Sequence, residues 1–209
     1  MKRPRVVLAI ESAINGGSLS LLLDGVEASH WIGSASVSKA EELLVNIDAM
    51  LTRTSVSKNE ISMVAVSAGP GSFTGIRIGI ATALGLKNGL GIEMSSVSAL
   101  TAMAAAVDVQ GTLVVAVPTG RNAICVQEFN NDGDLLPVSE PQTMTEEAFA
   151  DDLRSGTGVH FVLHGSMCTS PGSSISIINA GVNIAQSIGI YCADRQATVT
   201  EPLFISKSF

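Results

Sequence analysis

The stretch GPGSFTGIRIG, which spans residues Gly69–Gly79, decides how the surrounding chain is interpreted. It follows an apolar run, Ile61–Ala68, that is typical of a buried strand. It leads into helical periodicity over Phe73–Asn88, which Gly89 is expected to end. The sequence therefore predicts a strand, a tight glycine turn and the N-terminus of a helix.

A junction of this kind can bind an anion, because backbone N–H groups and the positive end of the helix dipole face the same point. The spacing Gly69-x-Gly71-x-x-x-Gly75 is one residue longer than the dinucleotide fingerprint, and no Gly-Lys-Ser/Thr follows as in a P-loop. A nucleotide-facing role is therefore one interpretation of the turn. Its candidate residues are Gly69, Gly71, Ser72, Thr74 and Arg77.

The helix after the turn carries small residues at every fourth position, namely Gly75, Gly79 and Ala83. Residues four apart lie on one face of a helix, so these three form a smooth stripe. The glycines at 75, 79 and 85 together cost the helix on the order of 2 kcal/mol relative to alanine, which close packing must offset. From the residues alone, the stripe fits either an internal contact or a subunit interface.

The sequence before the turn predicts a three-stranded meander and an amphipathic helix. Strands are expected at Arg5–Ile10, Ser18–Leu23 and Val26–Gly33, joined by Asn-Gly-Gly and Asp-Gly turns. Ser38 is a candidate N-cap for a helix over Ala40–Arg53, whose apolar residues recur at helical spacing. With the strand and helix that flank the glycine turn, these elements complete one lobe.

The second half of the chain repeats this order of strands followed by helices. The expected elements are a helix at Ser98–Ala106, strands at Thr112–Val117, Ala123–Phe129 and Leu135–Val138, a helix through Leu153 after a capping box at Thr143 and Glu146, a strand at His160–His164 and a helix at Val182–Ile188. The repetition predicts an internal duplication. One lobe is expected over residues 1–107 and a smaller, diverged lobe over 108–209.

Composition and charge argue against several classes of function. The net charge is -7 and the basic residues are scattered, so the chain alone is not expected to bind nucleic acid. Charged or polar residues interrupt every apolar run well before the ~20 residues that a bilayer requires. The apolar run VVLAI near the N-terminus is shorter than the core of a signal peptide. We therefore expect a cytoplasmic protein without a membrane contact.

Neither the cysteines nor the histidines predict a metal site. Three cysteines, an odd number without CxxC spacing, indicate free buried thiols. His160 and His164 have H-x-x-x-H spacing, but Phe-Val-Leu between them favours a strand, in which they would lie about 13 Å apart. No serine or cysteine lies in a G-x-S-x-G elbow, so no catalytic residue is assigned.

The segment GPGSFTGIRIGIATALGL, after the strand ISMVAVSA, resembles the signature of the TsaB (YeaZ) family, bacterial relatives of the TsaD proteins. Three further segments resemble family segments in the same order, namely VVLAIESA at the start, SSVSALTAMA in the middle and EPLFIS near the end. The resemblance covers most of the chain and is strongest from Met63 to Ala104.

The resemblance implies an α/β protein with the actin-like ATPase fold, which is ribonuclease H-like and has two duplicated lobes of mixed sheets flanked by helices. It also implies a non-catalytic subunit. Such a subunit pairs with a TsaD-type enzyme, alongside a TsaE-type ATPase, in threonylcarbamoylation of adenosine 37 in tRNAs that read ANN codons. The chain would then meet tRNA only indirectly, and it would form a homodimer when the partner is absent.

In this family the first-lobe helices form the homodimer face or, exclusively, the TsaD face. The resemblance therefore implies interface roles for Leu44, Ile47, Leu51, Phe73, Gly75, Ile76, Gly79, Ile80 and Ala83. It implies no firmly bound cofactor and no metal. ATP or ADP is expected, if at all, at the junction with the partner.

Three departures from the family pattern weaken nucleotide or metal binding. Glu11 stands where the family usually has Asp, Ser38-Lys39 replaces a His-Ser/Thr pair, and Pro118 replaces an acidic residue. Two alternatives to the scaffold role stay open. One is a stand-alone nucleotide-dependent enzyme or metal-dependent hydrolase, and the other is a diverged homodimeric paralogue without a tRNA role.

Overall fold

The chain folds into two β-sheets with five helices of seven or more residues in the part of the chain that is described. The computed structural model describes residues 5–34, 39–120, 122–155, 158–167 and 175–195. The elements of the first half are β1 (Val6–Glu11), β2 (Ser18–Leu23), β3 (Val26–Ile32), α1 (Lys39–Thr54), β4 (Ile61–Ser67), α2 (Phe73–Leu90), β5 (Glu93–Val97) and α3 (Ala99–Ala105). Those of the second half are β6 (Gly111–Gly120), β7 (Ala123–Asn131), β8 (Leu135–Pro137), β9 (Gln142–Thr145), α4 (Glu146–Ser155), β10 (His160–Leu163), β11 (Ser176–Asn179) and α5 (Ile184–Ala193).

The first sheet has the order β3-β2-β1-β4-β5. Strands β1, β2 and β3 form the predicted antiparallel meander, whereas β4 runs parallel to β1 and β5 runs parallel to β4. The turn between β1 and β2 has positive φ at Asn15, Gly16 and Gly17, which is why the chain uses Asn-Gly-Gly there. Both faces of the central strand β1 are buried, so it reads as a continuous apolar run.

The second sheet repeats the first. Its order is β11-β10-β6-β7-β8, with β9 also paired to β7. Strand β6 is antiparallel to β7 and parallel to β10, and β10 is parallel to β11, so β6, β7, β8, β10 and β11 correspond to β1, β2, β3, β4 and β5. The predicted duplication is therefore present in the strand order and in the direction of each pairing.

The last helix of the described residues belongs to the first sheet. Helix α5 packs against β1 and β2 and also against α3, which in turn packs against β6. The backbone N–H of Ala185 donates to Ser18 Oγ at 3.0 Å, and Asn183 Nδ2 donates to Glu27 Oε1 at 2.7 Å. One hydrophobic cluster consequently joins both sheets, with Val7 and Leu22 from the first and Val115 from the second. The proposed division near residue 107 stays a prediction.

The outer faces of the two sheets are covered differently. Helices α1 and α2 lie on the first sheet and bury apolar side chains against it, among them Leu43, Met50 and Ala83. The second sheet carries α4, which buries only Phe149. The two lobes thus share a strand order but differ in the number of described helices on the outer face of the sheet.

Several element boundaries differ from the sequence-based expectation. Helix α2 continues past Gly89 to Leu90, because Gly91, with φ at 65°, adopts the left-handed conformation that ends it. The expected capping box at Thr143 is wrong, since Thr143 lies in β9 and Thr145 Oγ1 instead accepts from the Ala148 N–H. Strands β5, β9 and β11 were not predicted, and α5 extends beyond its expected end to Ala193. The candidate N-cap Ser38 lies outside the described residues.

Candidate functional site

The glycine turn between β4 and α2 packs onto the turn that follows β1. The Ser72 N–H donates to the Ala13 carbonyl at 2.8 Å, and a Cβ at Gly71 would lie only 2.6 Å from the Ala13 Cβ. Ser72 Oγ accepts from the Gly75 N–H and caps the helix. Glycine is therefore needed at 71 for close approach of two turns of the same lobe.

The small-residue stripe of α2 is an internal contact. A Cβ at Gly75 would overlap the carbonyl oxygen of Ser12, and a Cβ at Gly79 would overlap the Ser12 hydroxyl oxygen. That hydroxyl donates to the Gly75 carbonyl at 2.7 Å, which ties the helix to the end of β1. The alternative left open by the sequence is thereby decided in favour of internal packing.

The predicted interface residues consequently divide into two groups. The interface prediction is wrong for residues whose side chains or Cα atoms are buried within this chain, namely Ile47, Leu51, Gly75, Ile76, Gly79 and Ala83. Leu44 is 59% exposed and Phe73 is 49% exposed, while Ile80 is half-buried against the outer core. For these three the interface role stays a prediction.

Two further apolar side chains extend the exposed part of this helical face. Val45 on α1 is 68% exposed and Leu84 on α2 is 43% exposed. We call Leu44, Val45, Phe73 and Leu84 together the α1–α2 surface. Neither Val45 nor Leu84 was assigned to the interface from the sequence, although the helical spacing of Leu84 from Phe73 and Ile80 could have indicated it.

The candidate nucleotide-facing residues also separate. Gly69 is buried, its N–H donates to Ser67 Oγ and its carbonyl accepts from the Ala99 N–H, so the prediction is wrong for Gly69. Ser72 and Thr74 are exposed at the start of α2. The Arg77 guanidinium lies 3.8 Å from the centroid of the Phe73 ring and stacks on it. For Gly71, Ser72, Thr74 and Arg77 the role stays a prediction.

Glu11 stabilises the turn after β1. The residue is 1% exposed, and its Oε1 accepts from the backbone N–H groups of Ala13 at 2.5 Å and Ile14 at 3.0 Å. A carboxylate in this position satisfies buried donors of its own chain. The family resemblance marks Glu11 only as a departure and does not indicate this role. A charged residue at the end of an apolar strand is the sequence signal that could have indicated it.

The two lobes are also joined at the turn after β1. Asn15 Nδ2 donates to Ser166 Oγ at 2.7 Å, and Ser166 Oγ lies 2.8 Å from Nδ1 of the buried His164. The Ser166 N–H donates to the same Nδ1, so this nitrogen is an acceptor and the ring is neutral. His160 is in β10, as predicted, and its Nδ1 lies 2.7 Å from Ser176 Oγ. The two histidines therefore have separate partners.

We expect folding stability to fall when His164 is protonated. Burial lowers the pKa of His164 below its usual 6.5, against a smaller opposing effect of a hydrogen bond to the Val182 backbone. A lowered folded-state pKa means that the unfolded chain binds the proton first as the pH falls below about 6.5, so stability declines by up to ~1.4 kcal/mol per pH unit in that range. Urea unfolding at about pH 7 and about pH 5.5 measures the decline.

The control for this pH dependence is His164→Gln, which cannot take up a proton at that position. Its unfolding free energy is expected to change less than that of the unsubstituted protein between the same two pH values. An equal pH dependence in both proteins would show that other groups are responsible.

The cysteines that can be located are buried thiols. Cys125 and Cys192 are both buried and free, as expected, and burial raises the pKa of Cys125 to about 12. Burial also raises the pKa of Cys192, partly offset by a hydrogen bond to Ser95 and by the charge of Arg195. Both thiols are therefore protonated at neutral pH. Cys168 lies outside the described residues.

Among the residues that the structure describes, no helix has the length and apolar character needed to cross a bilayer.

Comparisons with known proteins agree on one family. A model of the family described as "TsaD: tRNA N6-adenosine threonylcarbamoyltransferase" matches residues 34–152, which is more than half of the chain. The "tRNA threonylcarbamoyladenosine biosynthesis protein TsaB" of Haemophilus influenzae is 35% identical over 100 residues, which are 48% of this chain and 42% of that protein. The matched region thus spans less than half of that relative's length.

Solved structures support the fold. "YeaZ from Pseudomonas aeruginosa" superposes with a TM-score of 0.64 at 17% identity and covers 91% of this chain and 92% of its own. The "Activator of the 2-Hydroxyisocaproyl-CoA Dehydratase from Clostridium difficile with bound ADPNP" superposes with a TM-score of 0.57 at 11% identity, covering 90% and 94%. The fold is therefore the actin-like ATPase fold predicted from the sequence. By the matches of sequence and fold, the chain belongs to the TsaD family, and it resembles the TsaB (YeaZ) proteins within it.

Proposed function

We propose that this chain is a non-catalytic subunit of tRNA threonylcarbamoyladenosine biosynthesis that binds a TsaD-type enzyme through the α1–α2 surface. The modified nucleoside would be adenosine 37 of tRNAs that read ANN codons. Family membership and the name of the TsaB relative support the pathway. The observation that carries the binding role is the exposed apolar surface on two adjacent helices.

This surface has the character of a protein-binding site. Leu44, Val45, Phe73 and Leu84 are each more than two-fifths exposed, and they lie on helices that pack against one another. Exposed apolar side chains concentrated on two packed helices are typical of an interaction surface, because covering them removes apolar area from water at ~25 cal/mol per Å². Phe73 with Arg77 stacked on it supplies an aromatic and a cationic group, the residue types that most often dominate binding energies.

We propose a non-catalytic role because polar groups at the junction of the lobes are hydrogen-bonded within the fold. Glu11, which lies where relatives usually have Asp, is hydrogen-bonded to the turn after β1. Asn15 of the same turn contacts Ser166 across the two lobes. Polar groups at the junction of the lobes are thus engaged in holding the fold, which favours a scaffold over a stand-alone enzyme.

The proposed complex has further partners. A second copy of this chain would use the α1–α2 surface when the TsaD-type enzyme is absent, so the two assemblies would exclude one another. A TsaE-type ATPase would join the complex, and tRNA would be met through the enzyme. Because the pathway acts on tRNA, the proposal implies a cytoplasmic protein. ATP or ADP would bind at the junction with the enzyme, near Ser72, Thr74 and Arg77, which are exposed at the start of α2.

The test is calorimetric titration with the TsaD-type protein of the same genome, with and without ATP. Leu44→Asp and Phe73→Asp are each expected to weaken binding by about tenfold or more, because a charge replaces a buried apolar contact. Leu136→Asp is the matched control, since Leu136 is 60% exposed on β8 in the other lobe. It should leave affinity unchanged.

The outcomes separate the alternatives. Equal affinities for all three variants would contradict the assignment of the surface. Absence of binding by the unsubstituted chain, with a stable homodimer in its place, would favour the diverged paralogue without a tRNA role. Nucleotide turnover by the isolated chain would favour a stand-alone enzyme.

A further inference from the structure

A cavity of about 380 Å³ lies on the outer face of the second sheet, on the lobe that does not carry the α1–α2 surface. Its volume is within the range of small-molecule sites. It is bounded by α4, by β6, β7, β9 and β10, and by the connection from β8 to β9. The lining residues are Val114, Val126, Gln127, Glu128, Ser139, Gln142, Met144, Phe149, Asp152, Ser155, Val159 and Phe161.

The duplication explains why the cavity is here. In the first lobe, α1 and α2 together fill the outer face of the sheet with side chains such as Leu43, Met50 and Ala83. In the second lobe, α4 buries only Phe149 on the corresponding face. The Phe149 and Phe161 rings meet edge to face, with centroids 6.4 Å apart, and are almost fully buried at the bottom of the cavity. The partly exposed side chains Val114, Val126, Met144 and Val159 complete its apolar lining.

The rim of the cavity is acidic. Glu128 on β7 and Asp152 on α4 contribute carboxylates to the lining, and the lining contains no lysine or arginine among the described residues. Arg154, which is on the same helix, pairs with Asp151. The polar remainder of the lining consists of neutral side chains. A ligand with a positive charge is therefore favoured over a neutral or anionic one of the same shape.

The rim is also held in place by the protein itself. Gln127 Nε2 donates to the Ser139 carbonyl at 3.0 Å, and the Glu128 N–H donates to Ser139 Oγ at 3.0 Å. The Val138 N–H donates to the Glu128 carbonyl at 2.8 Å. These three bonds fix the β8–β9 connection against β7. A ligand would therefore enter a largely formed site, which reduces the ordering cost of binding.

We propose that this cavity binds a small organic cation, an amine or amidine that carries one flat apolar group. The apolar group lies against Val114, Val126 and Met144, and the cationic group lies at the rim between Glu128 and Asp152. The charged hydrogen bonds to the carboxylates give the site its selectivity, and burial of the apolar group gives it affinity. The site is independent of the partner-binding role proposed above, because it lies on the other lobe.

The experiment uses three indole compounds of one shape that differ in charge, namely tryptamine, indole-3-acetamide and indole-3-acetate. Each is titrated into the full chain labelled with ¹⁵N and followed by amide chemical shifts. Tryptamine is expected to bind saturably and to shift amides of β7 and α4. The neutral amide should bind at least about threefold more weakly, and the acetate more weakly still.

Charge-removing variants test the two carboxylates. Glu128→Gln and Asp152→Asn should each lower the affinity for tryptamine by about threefold to tenfold, and both are at exposed positions that tolerate the change. Asp151→Asn is the matched control, because Asp151 is a neighbour on α4 that does not line the cavity. It should bind tryptamine as the unsubstituted chain does.

Several results would overturn the proposal. These are no saturable binding of tryptamine, equal binding of all three indoles, amide shifts confined to the first lobe, or an equal loss of affinity in the Asp151→Asn control. Calorimetry of Glu128→Gln with the TsaD-type protein tests the two proposals separately, since this variant should bind that partner with the affinity of the unsubstituted chain.

Discussion

Gly75→Ala is expected to destabilise the protein by about 3 kcal/mol or more. The added Cβ would overlap the Ser12 carbonyl oxygen and lie 2.8 Å from the Ala13 Cα. Both are backbone atoms at the end of β1, in a turn that Glu11 also holds through hydrogen bonds. Because neither can move aside cheaply, α2 must shift away from the sheet and lose its buried contacts. Chemical unfolding followed by circular dichroism measures the effect.

The same helix supplies the control. Gly85 has no atom within 4 Å of a built Cβ, so Gly85→Ala meets open space. It should stabilise the protein by roughly 0.5–1 kcal/mol, because alanine is the better helix former. If Gly75→Ala destabilises the protein and Gly85→Ala stabilises it, the contact with Ser12 is the cause of the difference. If Gly75→Ala is tolerated as well as Gly85→Ala, the stripe does not pack against β1.

A double-mutant cycle separates the contribution of the Ser12 side chain. A Cβ at Gly79 would overlap Ser12 Oγ, whereas the Ser12 Cβ would be 3.6 Å away, an ordinary contact distance. Gly79→Ala should therefore be destabilising alone and close to neutral in the Ser12→Ala background. Non-additivity of this kind is expected for side chains in direct contact.

The local features of the fold could be predicted from the sequence because short-range physics fixes them. Asn-Gly-Gly between two apolar runs specifies the turn after β1, and the capping and spacing of Phe73–Leu90 specify α2. The repeated order of strands and helices indicated the duplication, which the two sheets confirm. Each of these signals lies within a few tens of residues.

The partner of the small-residue stripe could not be predicted in the same way. A smooth helix face is equally suited to a second subunit and to a segment of the same chain, and Ser12 is far from Gly75 in sequence. The family resemblance favoured the subunit and was wrong for the buried part of that face. The exposed part, with Leu44 and Phe73, differs from it in solvent exposure, which the sequence does not report.

The packing of α5 against the first sheet leads to the second large expected effect. Ile188 is fully buried in the cluster that joins both sheets, and the neighbouring Gly189 lies so close to β1 and β2 that a Cβ there would be 2.7 Å from the Leu22 side chain. Ile188→Ala should cost about 2–5 kcal/mol, as expected for truncation of a buried aliphatic side chain. Ile190→Ala on the same helix, where Ile190 is 40% exposed, should cost less than about 1 kcal/mol.

The informative observation is which lobe loses stability in Ile188→Ala. Trp31, the only tryptophan of the chain, lies on β3 in the first sheet. It packs against the hydrophobic cluster between that sheet and helices α1 and α2, so its fluorescence reports unfolding of that lobe. If α5 belonged to a C-terminal lobe that folds independently, Ile188→Ala would leave the Trp31 transition unchanged. We instead expect the Trp31 transition to move to lower urea together with the circular dichroism transition. Coincident shifts would mean that α5 completes the core of the N-terminal sheet, and that the duplicated lobes fold as one cooperative unit.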